Sequence, residues 1–278
     1  MSYRIVLDSS ADAVSWAAPT EEISSVPLRI ITDARQFVDD WRLDVGNMVD
    51  YLASLHEKSG TACPNVGEWK HALSGSDMAF AITITSKLSG SYNAACLAKE
   101  AIERENAQAQ IHVIDSRMTG PAMRLIAEKI EQLANAGLPF ASICQKIDEY
   151  RDRSHLVFAL ESLRNLANNG RVHPAAAKLA GVLGIRVVGR ATDGELDPFA
   201  KCKGERKVIK TIFEEMKSKG YDGGKVRISH VFNENAARIM SDLIKREFPQ
   251  ADVLWCQARG LVSFYAERNG LLVGYEGK

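Results

Sequence analysis

Short apolar, β-branched runs alternate with stretches of helical spacing along this chain, and many of the apolar runs end in polar, hydroxyl-rich residues. Arg4-Ile5-Val6-Leu7 hands over to Asp8-Ser9-Ser10-Ala11-Asp12, the pattern of a buried first strand entering a polar loop. A second strand is expected over Val26 to Ile31, leading into Gln36-Phe37-Val38-Asp39-Asp40, and a helix over Met48 to Leu55. Gly60 to Glu68, with Pro64, Asn65 and Gly67, reads as an ordered loop before a helix from Trp69 to Leu73. Ala79 to Ile84 is the next strand, followed after Ser86 to Ser91 by small residues at helical spacing as far as Ile102. Gln110 to Ile114 is a strand ending in Asp115-Ser116, and Met123 to Ala134 and Phe140 to Arg151 are helices parted by Gly137-Leu138-Pro139. This alternation predicts a parallel sheet covered on both faces.

The pattern changes after the charged turn Arg151-Asp152-Arg153-Ser154. A strand is expected over His155 to Phe158, an amphipathic helix from Ala159 to Ala167 closed by Gly170, and a second apolar helix from Ala175 to Leu183. Ile185 to Gly189 is a strand, Asp193-Gly194-Glu195-Leu196 a hairpin turn, Lys207 to Lys219 a basic amphipathic helix. Strand Val226 to Val231, helix Asn235 to Glu247 and strand Val253 to Trp255 precede a glycine-punctuated tail ending at Tyr275. The expectation is an α/β chain of two domains. Residues 1–154 form a parallel-sheet, three-layer α/β domain, and residues 155–278 form an α/β domain with a mixed sheet.

Composition narrows the ligand more than the fold. With 35 Lys+Arg against 35 Asp+Glu and 46% hydrophobic residues, the chain is neither disordered nor an electrostatic nucleic-acid binder, so a small ligand is expected. The five cysteines stand far apart without a CxxC, which points to free thiols in a reducing compartment rather than to zinc. The start MSYRIVLDSS reads directly as a strand, and no run approaches ~18 apolar residues, the length of a membrane span. The expected location is cytoplasmic.

Candidate chemistry centres on Ser86-Lys87-Leu88-Ser89-Gly90-Ser91. A helix start there offers unpaired N–H groups and the positive end of the helix dipole, with the hydroxyls of Ser86, Ser89 and Ser91 expected around one small volume. That is a site for an anion, although Ser89 or Ser91 as a plain helix cap is an equally simple use of the residue. Asp8 and Asp12 either hold a divalent cation or, more simply, accept from loop N–H groups. Asn65 and Thr61 fit ordinary cap and turn roles, and His112 sits in an apolar run as a strand residue. An enzymatic alternative, a phosphoryl transferase or esterase acting on a small amphiphilic acid through Ser89 or a carboxylate, finds no Gly-x-Ser-x-Gly, Walker loop or His-Glu-x-x-His to support it.

Several motifs in register resemble the DegV family of fatty-acid-binding proteins. They are Asp8-Ser9-Ser10-Ala11-Asp12, Val26-Pro27-Leu28, Thr61-Ala62-Cys63-Pro64-Asn65, Ser86 to Tyr92 and Val113-Ile114-Asp115-Ser116. Leu163 to Val172, Leu183 to Val187, Asp193 to Leu196 and Lys201-Cys202-Lys203-Gly204 are similar to the family's second-domain signature, so the likeness spans nearly the whole chain. The resemblance implies two α/β domains enclosing a tunnel for a long-chain fatty acid, with no cofactor beyond that ligand. It implies Thr61 and Ser89 as the carboxylate's partners; Ser86, Ser91 and Asn65, polar residues of the same two loops, are additional candidate headgroup contacts. It implies a non-enzymatic carrier that presents the carboxylate to a fatty acid kinase, with no nucleic-acid partner and at most peripheral membrane contact. Arg171, Lys201, Lys203, Arg206 and Lys207 are the candidates for docking that partner, set against the plainer reading of a solvated basic face. One departure stands out: where the family reads Thr-His-x-Gly-Pro-Gly, this chain has Tyr265-Ala266-Glu267-Arg268-Asn269-Gly270 and no histidine.

Overall fold

The fold is described from a computed structural model over residues 2–16, 22–55, 57–173 and 184–278. The described residues form three sheets. The first is wholly parallel in the order β2-β1-β6-β7, from β1 (Tyr3–Asp8), β2 (Ile23–Val26), β6 (Met78–Thr83) and β7 (Gln110–Asp115). Every residue of β6 is buried, which is why its sequence is an unbroken apolar run rather than an alternation. Side chains at alternate positions separate the two faces. Val6, Ala79 and Ala81 pack beneath helices α3 (Val66–Leu73) and α4 (Ser91–Glu105), whereas Ile5, Leu7, Phe80 and Ile82 face α5 (Pro121–Asn135) and α6 (Phe140–Asp152).

The second sheet is mixed, in the order β10-β9-β8-β13-β11-β12. Its strands are β8 (Ser154–Leu160), β9 (Ile185–Thr192), β10 (Glu195–Lys203), β11 (Val226–His230), β12 (Val253–Gln257) and β13 (Leu271–Glu276). Val157, Ala159, Val188 and Val273 pack on α8 (Glu205–Ser218) and α9 (Glu234–Glu247). Leu156, Phe158, Leu160 and Leu272 point the other way and join the same buried cluster as Ile5, Phe80 and Ile126, so α5 lies between the two sheets and one core crosses position 154. At Gly274 an added Cβ would lie 2.5 Å from the Ala122 nitrogen, so only glycine lets β13 approach the start of α5 this closely.

The third sheet, β4-β3-β5, was not anticipated. It joins β3 (Arg29–Ile31), β4 (Gln36–Val38) and β5 (Gly60–Ala62) in antiparallel pairs, covered by α2 (Val45–Ser54) and by α10 (Gly260–Ala266) from the far end of the chain. The expected single strand over Val26 to Ile31 is therefore two strands in different sheets, parted at Pro27, which has no N–H to donate to a ladder. The expected loop from Gly60 contributes a strand, because Thr61 pairs with Ile30. Ala159 and Leu160, expected in a helix, complete β8 through their pairing with Leu271, Val188 and Val187, and helix α7 is confined to Arg164–Asn168. The glycine-punctuated tail is the strand β13 between β8 and β11, and the helix expected over Ala175 to Leu183 lies outside the described residues. The Asp193-Gly194 hairpin is as expected: both residues have positive φ, at 51° and 85°, and Thr192 pairs with Glu195.

Candidate functional site

The loop after the parallel strand β6 and the small sheet meet β8 and α10 around a cavity of ≈ 300 Å³. Its walls are apolar. Alternate residues of β8 (Leu156, Phe158, Leu160) form one, and Leu261, Val262 and Ala266 of α10 form another, with Leu28 and Ile84 between. One end is different in kind, being lined by Thr61, Cys63, Ser89, Gly90, Arg171 and Tyr265.

Each polar group there is held by a nameable contact. Thr61, on β5, shares a hydrogen bond of 2.8 Å with the Tyr265 phenol from α10. Burial raises the Tyr265 pKa, opposed by the Thr61 hydrogen bond and the Arg171 charge, so the phenol stays a neutral donor at physiological pH. Ser89 accepts from the Ser91 N–H at 3.2 Å, which leaves its own hydroxyl hydrogen free to donate. Gly90 lies against Cys63, whose Sγ would be 3.3 Å from an added Cβ. The Arg171 Nε donates to the Leu88 carbonyl at 3.0 Å and a second guanidinium nitrogen donates to the Asn169 carbonyl.

Thr61 and Ser89 therefore lie at the same end of the cavity, but the other expected headgroup residues do not join them. Ser91 is fully buried and donates to Asp8 Oδ2 at 2.7 Å, so it points into the core, not at the anion volume expected of the three serines. The reason is the buried Asp8 carboxyl, which also accepts from the Ile84 and Ser10 N–H groups; its pKa is raised by burial, and each donor opposes that rise. Ser86 donates to Asp115 on the exposed side of the loop. Asn65 caps α3 in a reciprocal capping box with Glu68. Lys201, Lys203, Arg206 and Lys207 are exposed along β10 and the start of α8, whereas Arg171 is half-buried on the cavity wall. His112 faces Asp148 from β7 at 3.7 Å and does not line the cavity.

Sequence reasoning missed Tyr265 and the clamp that positions it. The Asp39 carboxylate, fully buried, accepts from the N–H groups of Gly260 at 2.7 Å and Leu261 at 2.8 Å, the first turn of α10. Asp12 accepts from the Arg259 N–H at 2.6 Å and the Ser229 hydroxyl at 2.8 Å, and burial pushes its pKa up to about 7. Asp8 and Asp12 are thus engaged by protein donors, and among the described residues no group of three or more His, Cys, Asp or Glu is placed to hold a metal. The departure at Tyr265-Ala266, where the resemblance led to the expectation of a histidine, was the available signal.

Two sheets packed on a shared helix around an apolar cavity with donors at one end define a binding protein for an amphiphilic anion. The chain belongs to the DegV family: over residues 2–276 it matches the family model described as an uncharacterised protein of the DegV family. A DegV domain-containing protein of Streptococcus pyogenes serotype M18 is 37% identical, the alignment covering 99% of this chain and 100% of that one. Among solved structures, a DegV family protein from Eubacterium eligens loaded with heptadecanoic acid is 40% identical with a TM-score of 0.95, covering 99% of this chain and 100% of that one. The Streptococcus pneumoniae Fatty Acid Kinase (Fak) B3 protein loaded with linoleic acid is 36% identical with a TM-score of 0.96, covering the whole of both chains. Among the described residues no helix is long and apolar enough to cross a membrane.

Proposed function

We propose that this protein is a carrier of a long-chain fatty acid, not an enzyme, and that it presents the carboxylate to a fatty acid kinase. The observation that carries this reading is the cavity itself: apolar along its walls, with the Thr61–Tyr265 hydroxyl pair, Ser89 and Arg171 gathered at one end. Burying about 15 methylenes at ~0.8 kcal/mol each supplies on the order of 12 kcal/mol before ordering costs, so the acyl chain dominates affinity and the polar end sets orientation. Thr61 and Ser89 hold the carboxylate, and Tyr265 supplies the donor for which the family uses a histidine. A nucleophilic role for Ser89 has no support in its surroundings, since among the described residues neither a histidine nor a carboxylate bonds to it.

In this reading residues 1–154 supply Thr61 and Ser89 of the carboxylate site, and residues 155–278 complete the acyl tunnel as a second domain and add Tyr265 and Arg171 to that site. The fatty acid is the ligand and no further cofactor takes part. The protein works in the cytoplasm, with no nucleic-acid partner and at most peripheral membrane contact. Lys201, Lys203, Arg206 and Lys207, which no carboxylate pairs among the described residues, form the surface on which the kinase docks. Native mass spectrometry of the purified protein should find one acyl chain per molecule. Recovery of no lipid on organic extraction, together with no binding of a fluorescent fatty acid, would reject the carrier reading.

A further inference from the structure

The strands β8 and β9 pair only between Val157–Arg190 and Leu160–Val187, although β8 begins at Ser154 and β9 runs on to Thr192. Each keeps its other neighbour over the surplus residues: Ser154 to Leu156 pair with β13, and Ala191 and Thr192 with β10. The six-stranded sheet is therefore split at this end, and the two edges facing each other across the split carry backbone groups outside any ladder. A pocket of ≈ 270 Å³ occupies the split, and among the described residues it shares only Leu156 with the acyl cavity.

The charges around this pocket are of two kinds. Arg117 and Arg151 both pair with Asp152, and Arg190 pairs with Glu215, so these groups answer one another. Lys219 and Asp193 also line the pocket, and among the described residues neither has an ion-pair partner. A third group is left unanswered in the interior. Tyr275 is only 1% exposed, yet its hydroxyl has no hydrogen-bond partner among the described residues, whereas the buried Tyr150 and Tyr221 donate to Glu276 at 2.6 Å and to the Gly224 carbonyl at 3.1 Å. The Tyr275 phenol feels the charges of Glu215 and Arg190 on the pocket wall, and burial raises its pKa, so it stands there as a neutral donor. A buried hydroxyl is ordinarily paired, and one that is not points to a partner from outside the chain. Met118, Leu156 and Ala191 add an apolar surface.

We propose that the split between β8 and β9 binds a small zwitterion of the amino-acid class, its carboxylate held by Lys219 and the Tyr275 hydroxyl, its ammonium by Asp193, and its side chain against Met118 and Leu156. One unpaired cation and one unpaired carboxylate call for a ligand with both charges. A plain anion would meet Asp193, Asp152 and Glu215 with only Lys219 to offset them, and a plain cation would meet Lys219. The volume is that of about nine waters at ~30 Å³ each, so the ligand has roughly nine non-hydrogen atoms, the size of leucine. The site is independent of the carrier reading above, since Tyr275, Lys219 and Asp193 take no part in the acyl cavity.

The test is isothermal titration calorimetry of the full-length protein with L-leucine, with 4-methylpentanoate, which lacks the ammonium, and with 3-methylbutylamine, which lacks the carboxylate. Leucine should bind at one site per chain, and each analogue about tenfold or more weaker. Tyr275→Phe, which keeps the ring and removes the hydroxyl, should weaken leucine about tenfold. Lys219→Gln should weaken leucine by a similar factor while leaving 3-methylbutylamine within about twofold, and circular dichroism should report the same fold for all three proteins. Absence of binding at millimolar leucine, an analogue that binds as tightly as leucine, or a Tyr275→Phe protein that binds leucine like the parent would overturn the proposal. So would displacement of a fluorescent fatty acid by leucine, because that would place leucine in the acyl cavity.

Discussion

Two helices begin beside the cavity, and they treat their N-termini in opposite ways. At α10 the chain provides its own acceptors: the Asp39 carboxyl takes the Gly260 and Leu261 N–H groups, and the Asp12 carboxyl takes that of Arg259. At α4 the N-cap is Gly90, no side chain caps the helix, and the serine that opens it turns inward to Asp8. A helix start attracts negative charge in either case. The first is filled by buried carboxyl groups of the protein and becomes the mount for Tyr265 and three other cavity-lining residues. The second keeps Ser89 and Gly90 lining the cavity and, in the function proposed above, leaves the anion to be supplied by the ligand. The comparison teaches that a shared local preference acquires a structural or a binding role according to whether the fold brings a buried acid to it.

The largest test of the filled site is pH. Asp12 is fully buried, with a pKa of about 7 against an ordinary 3.8. The native state keeps the proton through a window in which the unfolded chain has lost it, so this group's stabilising contribution is complete below about pH 4 and is lost as pH rises to about 7. The difference amounts to as much as ~4 kcal/mol. Urea denaturation across that window should show stability falling with pH, and Asp12→Asn should flatten the slope; an identical slope in the variant would remove Asp12 as its source.

A smaller but more local effect is expected from Asp39→Asn. An amide can accept from one of the two N–H groups but presents its own N–H₂ to the other, at a cost of about 3 kcal/mol for a buried donor left facing a donor. Thermal denaturation should report the lost stability, and fatty-acid affinity per folded molecule should fall as well, because α10 carries Tyr265. Lost stability with unchanged affinity would mean that α10 keeps its position without the clamp.

The open site gives the smallest change in free energy and the plainest change in binding. Ser89→Ala removes one hydroxyl donor from an ionised acceptor, about 2 kcal/mol or some thirtyfold in Kd, with the melting temperature of the ligand-free protein nearly unchanged. A lowered melting temperature at constant affinity would instead assign Ser89 the capping role and make the two helix starts alike.

Much of the architecture was legible because its determinants are local. The unbroken apolar run of β6 marks a strand covered on both faces, and the amphipathic spacing of α5 and α8 marks helices lying on sheets. The Asp193-Gly194 pair marks its own hairpin through two residues that tolerate positive φ. The loop that bears Ser89 was also recognisable, since hydroxyls and a glycine following an apolar run are a local arrangement. Failures occurred where a local preference met a distant partner. Gly60–Ala62 looked like a loop by composition and became a strand because β3 offered it a ladder, and Ala159 and Leu160 left their expected helix because β9 and β13 extend β8.

By itself the sequence determined that this protein is an α/β chain with polar loops at the ends of apolar strands, a consequence of side-chain period and turn chemistry acting over a few residues. Only the tertiary structure decided which of those polar groups meet. Thr61 reaches Tyr265 across 204 residues of chain and Asp39 reaches Gly260 across 221, separations over which no periodicity carries information. The inward turn of Ser91 and the placement of Arg171 on the cavity wall were decided the same way. A buried carboxylate must find donors and a cavity must be closed by whatever the packing brings to its edge, and both requirements are met by the whole fold at once.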